Sequence, residues 1–151
     1  MIHFRQATLT DASNICAFQI AMAFETEKLN LDKATCALGV QAVFEDPSRG
    51  DYHICSDGEK VIGCLLLTSE WSDWRNGKVW WVQSVYFLPE YRRQKLFSKF
   101  YEYIQGLANT QPNIRGIRLY VDKSNEIAQK VYTKIGMNGD HYQLFEWMKT
   151  F

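Results

Sequence analysis

The sequence carries no net charge: 17 Lys and Arg offset 17 Asp and Glu across 151 residues. A general polyanion binder shows a clear basic excess, so the balance argues against nucleic acid as the partner. No stretch approaches the ~18 uninterrupted apolar residues of a membrane span. The start, "MIHFRQATLTDAS", has neither the basic opening nor the apolar run of a signal peptide. Cys16, Cys36, Cys55 and Cys64 lie far apart and form no CxxC pair, which reads as reduced thiols in a cytoplasmic protein. His3, His53 and His141 are isolated, so no metal site can be assembled from spacing. No serine stands in a GxSxG elbow, and linkers, repeats and low-complexity tracts are missing.

What is present is a globular composition, 46% apolar and 15% aromatic, in a length suited to one domain over 1–151 with a genuine core. "IHFRQAT" reads as a strand, then a helix from about Thr10 to Phe24 with Thr10 or Asp11 as its cap. A second helix follows over Asp32 to Phe44, then a loop from Glu45 to Gly50. A hairpin turns at Asp57-Gly58. Val79 to Phe87 is a long strand. Leu96, Phe97, Phe100, Tyr101, Ile104 and Leu107 then recur at helical spacing. Gly116 to Val121 is a short strand, "SNEIAQKVYTKIG" a helix with Gly136 just past its end, and "HYQLFEWM" a closing strand. The order predicts an α/β fold: one mixed, mainly antiparallel sheet with a parallel strand pair around the third helix.

The stretch "YRRQKLFSKF", Tyr91 to Phe100, holds four basic residues and no acid. A solvated helix face is the ordinary reading of such a cluster. Its position is less ordinary, since it falls where a strand hands over to the helix of a parallel pair. There the first-turn amides are unpaired and the macrodipole adds about half a positive charge, which suits a phosphate.

Around this junction the sequence resembles the GNAT acetyltransferase superfamily. The strand "SVYF", the turn Pro89-Glu90-Tyr91-Arg92 and the loop Arg92-Arg93-Gln94-Lys95-Leu96-Phe97 follow the family's strand, Pro-x-Tyr-Arg turn and Arg/Gln-x-x-Gly-x-Gly/Ala loop. Lys95 and Phe97 stand at the loop's two small-residue positions. Val121, Asn125, Ala128, Tyr132, Lys134, Gly136 and Met137 match a second family motif.

The resemblance implies acetyl-CoA as co-substrate, without a metal, and an amine acceptor on a small molecule or peptide. Arg92, Arg93, Gln94, Lys95, Phe97 and Ser98 would line the pyrophosphate site, largely through their backbone amides, with the Lys95 side chain projecting from the first helical turn. Tyr86 or Phe87 would offer a backbone amide to the thioester oxygen. Tyr132 would protonate the leaving thiolate, or be an ordinary aromatic packed on the sheet. Asn125 would bond the pantetheine arm, or cap its helix. Family members often carry a glutamate near the positions of Trp81 and Gln83, neither of which accepts a proton. Glu25, Glu27, Glu70 and Asp73 are the acids expected to border the acceptor, with Gln83 lining the same side, though acids of this kind are more often surface groups than bases. Trp71, Trp74, Trp80 and Trp81 fall within eleven residues; they suit a wall for a cationic amine, a core, or the surface of a homodimer. The rival reading is a non-catalytic module that binds acyl-CoA or a partner protein.

Overall fold

The computed structural model describes residues 1–150. It contains two compact units, one from Met1 to Arg118 and one from Leu119 onward. In the first, β1 (Ile2–Gln6) is followed by α1 (Ala12–Glu27), α2 (Lys33–Glu45), β2 (Asp51–Asp57), β3 (Lys60–Ser72), β4 (Gly77–Phe87), α3 (Leu96–Asn109) and β5 (Ile114–Arg118). The sheet runs β1-β2-β3-β4-β5, so strand order equals chain order. The first three pairings are antiparallel and β4 with β5 is parallel, the mixed sheet the sequence predicts.

Asp32 caps α2, accepting from the Thr35 amide at 2.7 Å. The start of α1 differs. A single 3-10 turn over Leu9–Asp11 precedes it, and neither Thr10 nor Asp11 caps the helix with its side chain. Asp11 instead accepts from the Thr8 amide at 2.8 Å and from both Arg5 guanidinium nitrogens at 2.9 and 3.0 Å. Burial pushes its carboxyl up, but the Arg5 and Thr8 bonds together outweigh burial and hold it below the usual carboxylate range.

Alternation along the strands sends residues to two apolar layers. On one face Tyr52, Ile54, Cys64 and Tyr86 pack with Ile15 and Phe18 of α1 and Val40 of α2. On the other, the Phe100 ring of α3 stacks on Phe4 at 5.0 Å and meets Phe87 edge-on at 6.1 Å. His53 lies on that second face, where burial drives its pKa down to about 4. The neutral ring sits 3.2 Å from the Tyr103 hydroxyl.

In the second unit, α4 (Glu126–Lys134) starts at Asn125, whose side chain accepts from the Ala128 amide at 3.1 Å. Gly136, at φ 93°, ends it. The Gly136 amide bonds the Thr133 carbonyl and the Met137 amide bonds that of Tyr132, which satisfies two orphan carbonyls of the last turn. Two expectations need correction. The short fifth strand lies at Ile114–Arg118 and not at Gly116 to Val121. "HYQLFEWM" forms no strand: residues 142–150 have no regular structure, and Phe145, Trp147 and Met148 are exposed. Alternation describes a segment fit to pair, and a strand forms only where a partner edge meets it. No helix among the described residues is long and apolar enough to cross a membrane.

Candidate functional site

The site is built on β4, whose two halves differ. From Lys78 to Trp81 the strand pairs with β3 on one side and β5 on the other. Beyond Trp81, paired with Arg118, β5 has ended. Val82 to Phe87 therefore has a strand neighbour on one side only among the described residues.

A bulge marks the change. Between the pairs Leu66–Gln83 and Cys64–Tyr86, β3 contributes Leu65 while β4 contributes Ser84 and Val85. Ser84 takes φ 55°, and its carbonyl lies 3.7 Å from the Cys64 thiol. Such an extra residue bends the strand and strengthens its twist. Past the bulge the Leu88 amide bonds the Ile62 carbonyl at 2.9 Å. Antiparallel alternation then turns the amide and carbonyl of Phe87 away from β3, toward the open side. Its carbonyl accepts from Arg92 Nε at 2.8 Å. Gly63 makes room for the Phe87 ring, since a Cβ there would lie 2.5 Å from it.

A one-turn helix at Pro89–Tyr91 leads into the basic loop. Arg93 and Lys95 take φ 62° and 59°, either side of Gln94. Left-handed residues alternating this way turn successive N–H groups into one concavity, which binds anions. Directly after it α3 begins with no side-chain cap. The concavity and the positive end of the helix dipole therefore coincide. Lys95 is the N-cap residue of α3, one position before the first turn where the sequence places it. Gln94 Nε2 bonds the Glu90 carbonyl at 3.1 Å, Ser98 is half-buried in the first turn, and Phe97 stacks on Tyr101 at 6.4 Å.

Arg92 faces elsewhere. Its Nη2 meets Glu25 Oε2 at 2.8 Å, and its guanidinium lies 5.1 Å over the Tyr86 ring. The Tyr86 hydroxyl donates to Glu25 Oε1 at 3.1 Å, and its ring stacks on Phe18 at 5.2 Å. Burial, then the Glu25 carboxylate, raises the Tyr86 phenol, so it stays a donor. Glu25 thus ties the end of α1 to the open end of β4.

Residues 16–137 match the acetyltransferase (GNAT) family. The chain belongs to the GNAT family. No curated protein matches it by sequence. Among solved structures, a possible acetyltransferase from Clostridium difficile 630 is 37% identical, with a TM-score of 0.91 over 100% of this chain and 99% of that one. A predicted acetyltransferase with acetyl-CoA from Clostridium acetobutylicum shares the fold at 16% identity (TM-score 0.77, 97% and 96% covered). So does an aminoglycoside N-acetyltransferase in complex with CoA, at 12% identity (TM-score 0.78, 99% and 96% covered).

In this GNAT chain Lys95 holds the left-handed backbone at a position where the family's loop pattern has glycine. Of the expected acids, Glu25 is brought to Tyr86 and Arg92, and Glu70 pairs with Arg118. By strand register Glu70, Trp81, Gln83 and Arg118 share the α1–α2 face, with Gln83 donating to Thr68 Oγ1 at 2.6 Å. Glu27 is exposed at the end of α1, and Asp73 accepts from the Trp74 amide in the β3–β4 turn. Trp71 and Trp74 are exposed, while Trp80 and Trp81 are half-buried on opposite faces. Tyr132 is half-buried within α4, and burial raises its phenol. A separate cavity of about 660 Å³ between α1 and α2 is lined by Cys16, Ile20, Ala37 and neighbours, and contains none of these residues. Sequence reasoning missed the Ser84 bulge and Arg118; neither residue type announces its role.

Proposed function

We propose that the chain is an N-acetyltransferase that moves acetyl from acetyl-CoA to an amine of a small molecule or peptide by direct attack on the thioester. The observation that carries this is the junction itself: an open half-strand that runs into an anion-binding loop and an uncapped helix. The pyrophosphate lies on the amides of Arg93 to Ser98, with the charges of Arg93 and Lys95 beside it. The pantetheine amides follow the open edge of β4, and the Phe87 N–H supports the thioester oxygen as it gains charge. Tyr132, kept protonated by burial, supplies the proton to the leaving thiolate. Asn125, at the start of α4, bonds the pantetheine arm.

The acceptor amine, with a pKa of about 10, must lose a proton before it attacks. Glu25 takes it through water, with Glu27, Glu70 and Asp73 as the other acids of the acceptor side. The whole chain, 1–151, works as a single acetyltransferase-like domain. We place it in the cytoplasm, where free thiols such as its four cysteines persist.

Calorimetry should show acetyl-CoA binding that free CoA displaces, with no binding of oligonucleotides. Thiol release across an amine panel tests turnover. Tyr132→Phe should lower the rate ~10²-fold with acetyl-CoA affinity kept; an unchanged single-turnover rate removes Tyr132 from the mechanism. A second reading, a non-catalytic acyl-CoA-binding module, draws on the two arginines that hold Glu25 and Glu70. Binding without turnover on any amine would select it.

A further inference from the structure

The four cysteines are free thiols, and two of them, from different helices, meet. Cys16 of α1 and Cys36 of α2 both pack against the buried cluster that these helices form with β2, β3 and β4. Their thiols lie within hydrogen-bonding reach of each other. Both also neighbour the Tyr52 phenol of β2, which burial, then the Cys64, Cys36 and Cys16 thiols, push up to about 12.

The other two cysteines are placed differently. Cys55 and Cys64 are fully buried, on opposite faces of the sheet. Cys16 and Cys36 are half-buried. Cys16 lines the groove of about 660 Å³ between α1 and α2, with Ala37, next in sequence to Cys36, on the α2 side. Ala12, Ala17 and Ala21 line it too, so small side chains surround the Cys16 sulfur.

We propose that Cys16 and Cys36 are a reactive dithiol that takes a small disulfide of the glutathione kind and closes into a bridge between α1 and α2. Cys16, on the groove, attacks first: its sulfur bonds one sulfur of the incoming disulfide and the other departs as a thiol. Cys36 then attacks the Cys16 sulfur, gives up its proton and releases the second small thiol. Two protein thiols and one glutathione disulfide thus become one protein disulfide and two glutathiones, with two electrons passing to the small disulfide. Burial, then the neighbouring Cys16 thiol, push Cys36 up to about 11. Cys36 therefore keeps its proton through the first step and acts as the resolving thiol. In a reducing compartment such a bridge forms while the glutathione pool is oxidised and opens as the pool recovers.

Thiol titration and peptide mapping of the folded full chain, at rising ratios of oxidised to reduced glutathione, test this. Wild type should lose two of its four thiols, with the bridge mapping to Cys16 and Cys36 and dithiothreitol restoring both. Cys36→Ser should stop at a single glutathione on Cys16. The bridge closes a loop of about 20 residues in the unfolded chain, so the oxidised protein should melt about 5 °C or more above the reduced one. A folded wild type that keeps all four thiols overturns the proposal, as does a bridge that maps elsewhere. An oxidised chain that melts no higher overturns it too, because the helix pair would then have to distort to close.

Discussion

The two halves of β4 are built from similar residues and do opposite work. From Lys78 to Trp81 the strand has neighbours on both sides, and its side chains are set by the sheet. From Val82 to Phe87 one edge lacks a strand, and other groups hold the backbone in place: the bulge at Ser84, Arg92 on the Phe87 carbonyl, and Glu25 on both Arg92 and Tyr86. The paired half is rigid by hydrogen bonding along its length. The open half is rigid through contacts from α1, β3 and the loop, which leaves its amides for a ligand. An open edge is useful only if something else fixes it.

The contrast breaks most sharply at Gly63, the β3 residue under the open half. Gly63→Ala sets a Cβ 2.5 Å from the Phe87 ring and 2.8 Å from the Tyr86 carbonyl, so stability should fall by about 1–3 kcal/mol. Gly116→Ala, opposite the paired half, meets nothing within 4 Å and should be neutral or slightly stabilising. Urea midpoints of the two variants measure the difference; equal losses would mean the two halves are equally packed.

Lys95→Ala comes next. The charge contributed to the phosphate should be worth about 1–2 kcal/mol, on the order of tenfold in acetyl-CoA affinity at low salt, and less as salt rises. Equal affinities at low salt would leave the loop amides and Arg93 as the whole of the anion site. Lys95→Gly separates charge from conformation. It loses the same charge but relieves a left-handed residue, and should raise stability by about 1 kcal/mol.

Glu25→Gln keeps the shape of the side chain and removes the ion pair with Arg92. Because Glu25 and Arg92 are each more than a third exposed, folding stability should change by less than about 1 kcal/mol. Turnover should still fall by about tenfold or more with acetyl-CoA affinity unchanged, since the acceptor amine loses its base and the Phe87 amide its brace. A fall in affinity instead would place Glu25 in cofactor binding. Smallest of all should be Glu70→Gln at the paired half. Its pair with Arg118 is partly exposed, and at most about 1 kcal/mol is expected. A loss of turnover larger than that of Glu25→Gln would move the base to Glu70.

How much of this was legible in the sequence follows from the range of each interaction. Local signals carried far: Asp57-Gly58 turning the hairpin and Gly136 ending α4 each act within a few residues. The element order also came through, because alternation and helical spacing are local patterns. The closing strand did not, since Leu144–Met148 has the pattern without a partner edge inside its own unit. Nor did the left-handed backbone at Ser84, Arg93 and Lys95, because none is glycine. Glu25 was marked only as one of four acids. Its contacts to Tyr86 and Arg92 cross 61 and 67 residues of chain, and nothing local records them. Arg92 was placed at the phosphate largely through its backbone amide, and nothing local records that its guanidinium reaches Phe87 and Glu25.

The strand order has a kinetic consequence. β2, β3 and β4 form an uninterrupted antiparallel meander from Asp51 to Phe87, with short turns. β1 joins β2 only after a connection that contains two helices, and β5 joins β4 only after α3. Closing long loops before they are rewarded slows folding, so the meander should gather first and act as the nucleus on which both edges condense. Pulsed hydrogen exchange during refolding would show this as early protection of His53, Leu65 and Trp81, whose amides face partners inside the meander, ahead of Arg5 and Arg118, whose amides face β2 and β4 across the later pairings. The open half-strand would then be in place before the sheet is complete, because its free edge waits for no later strand.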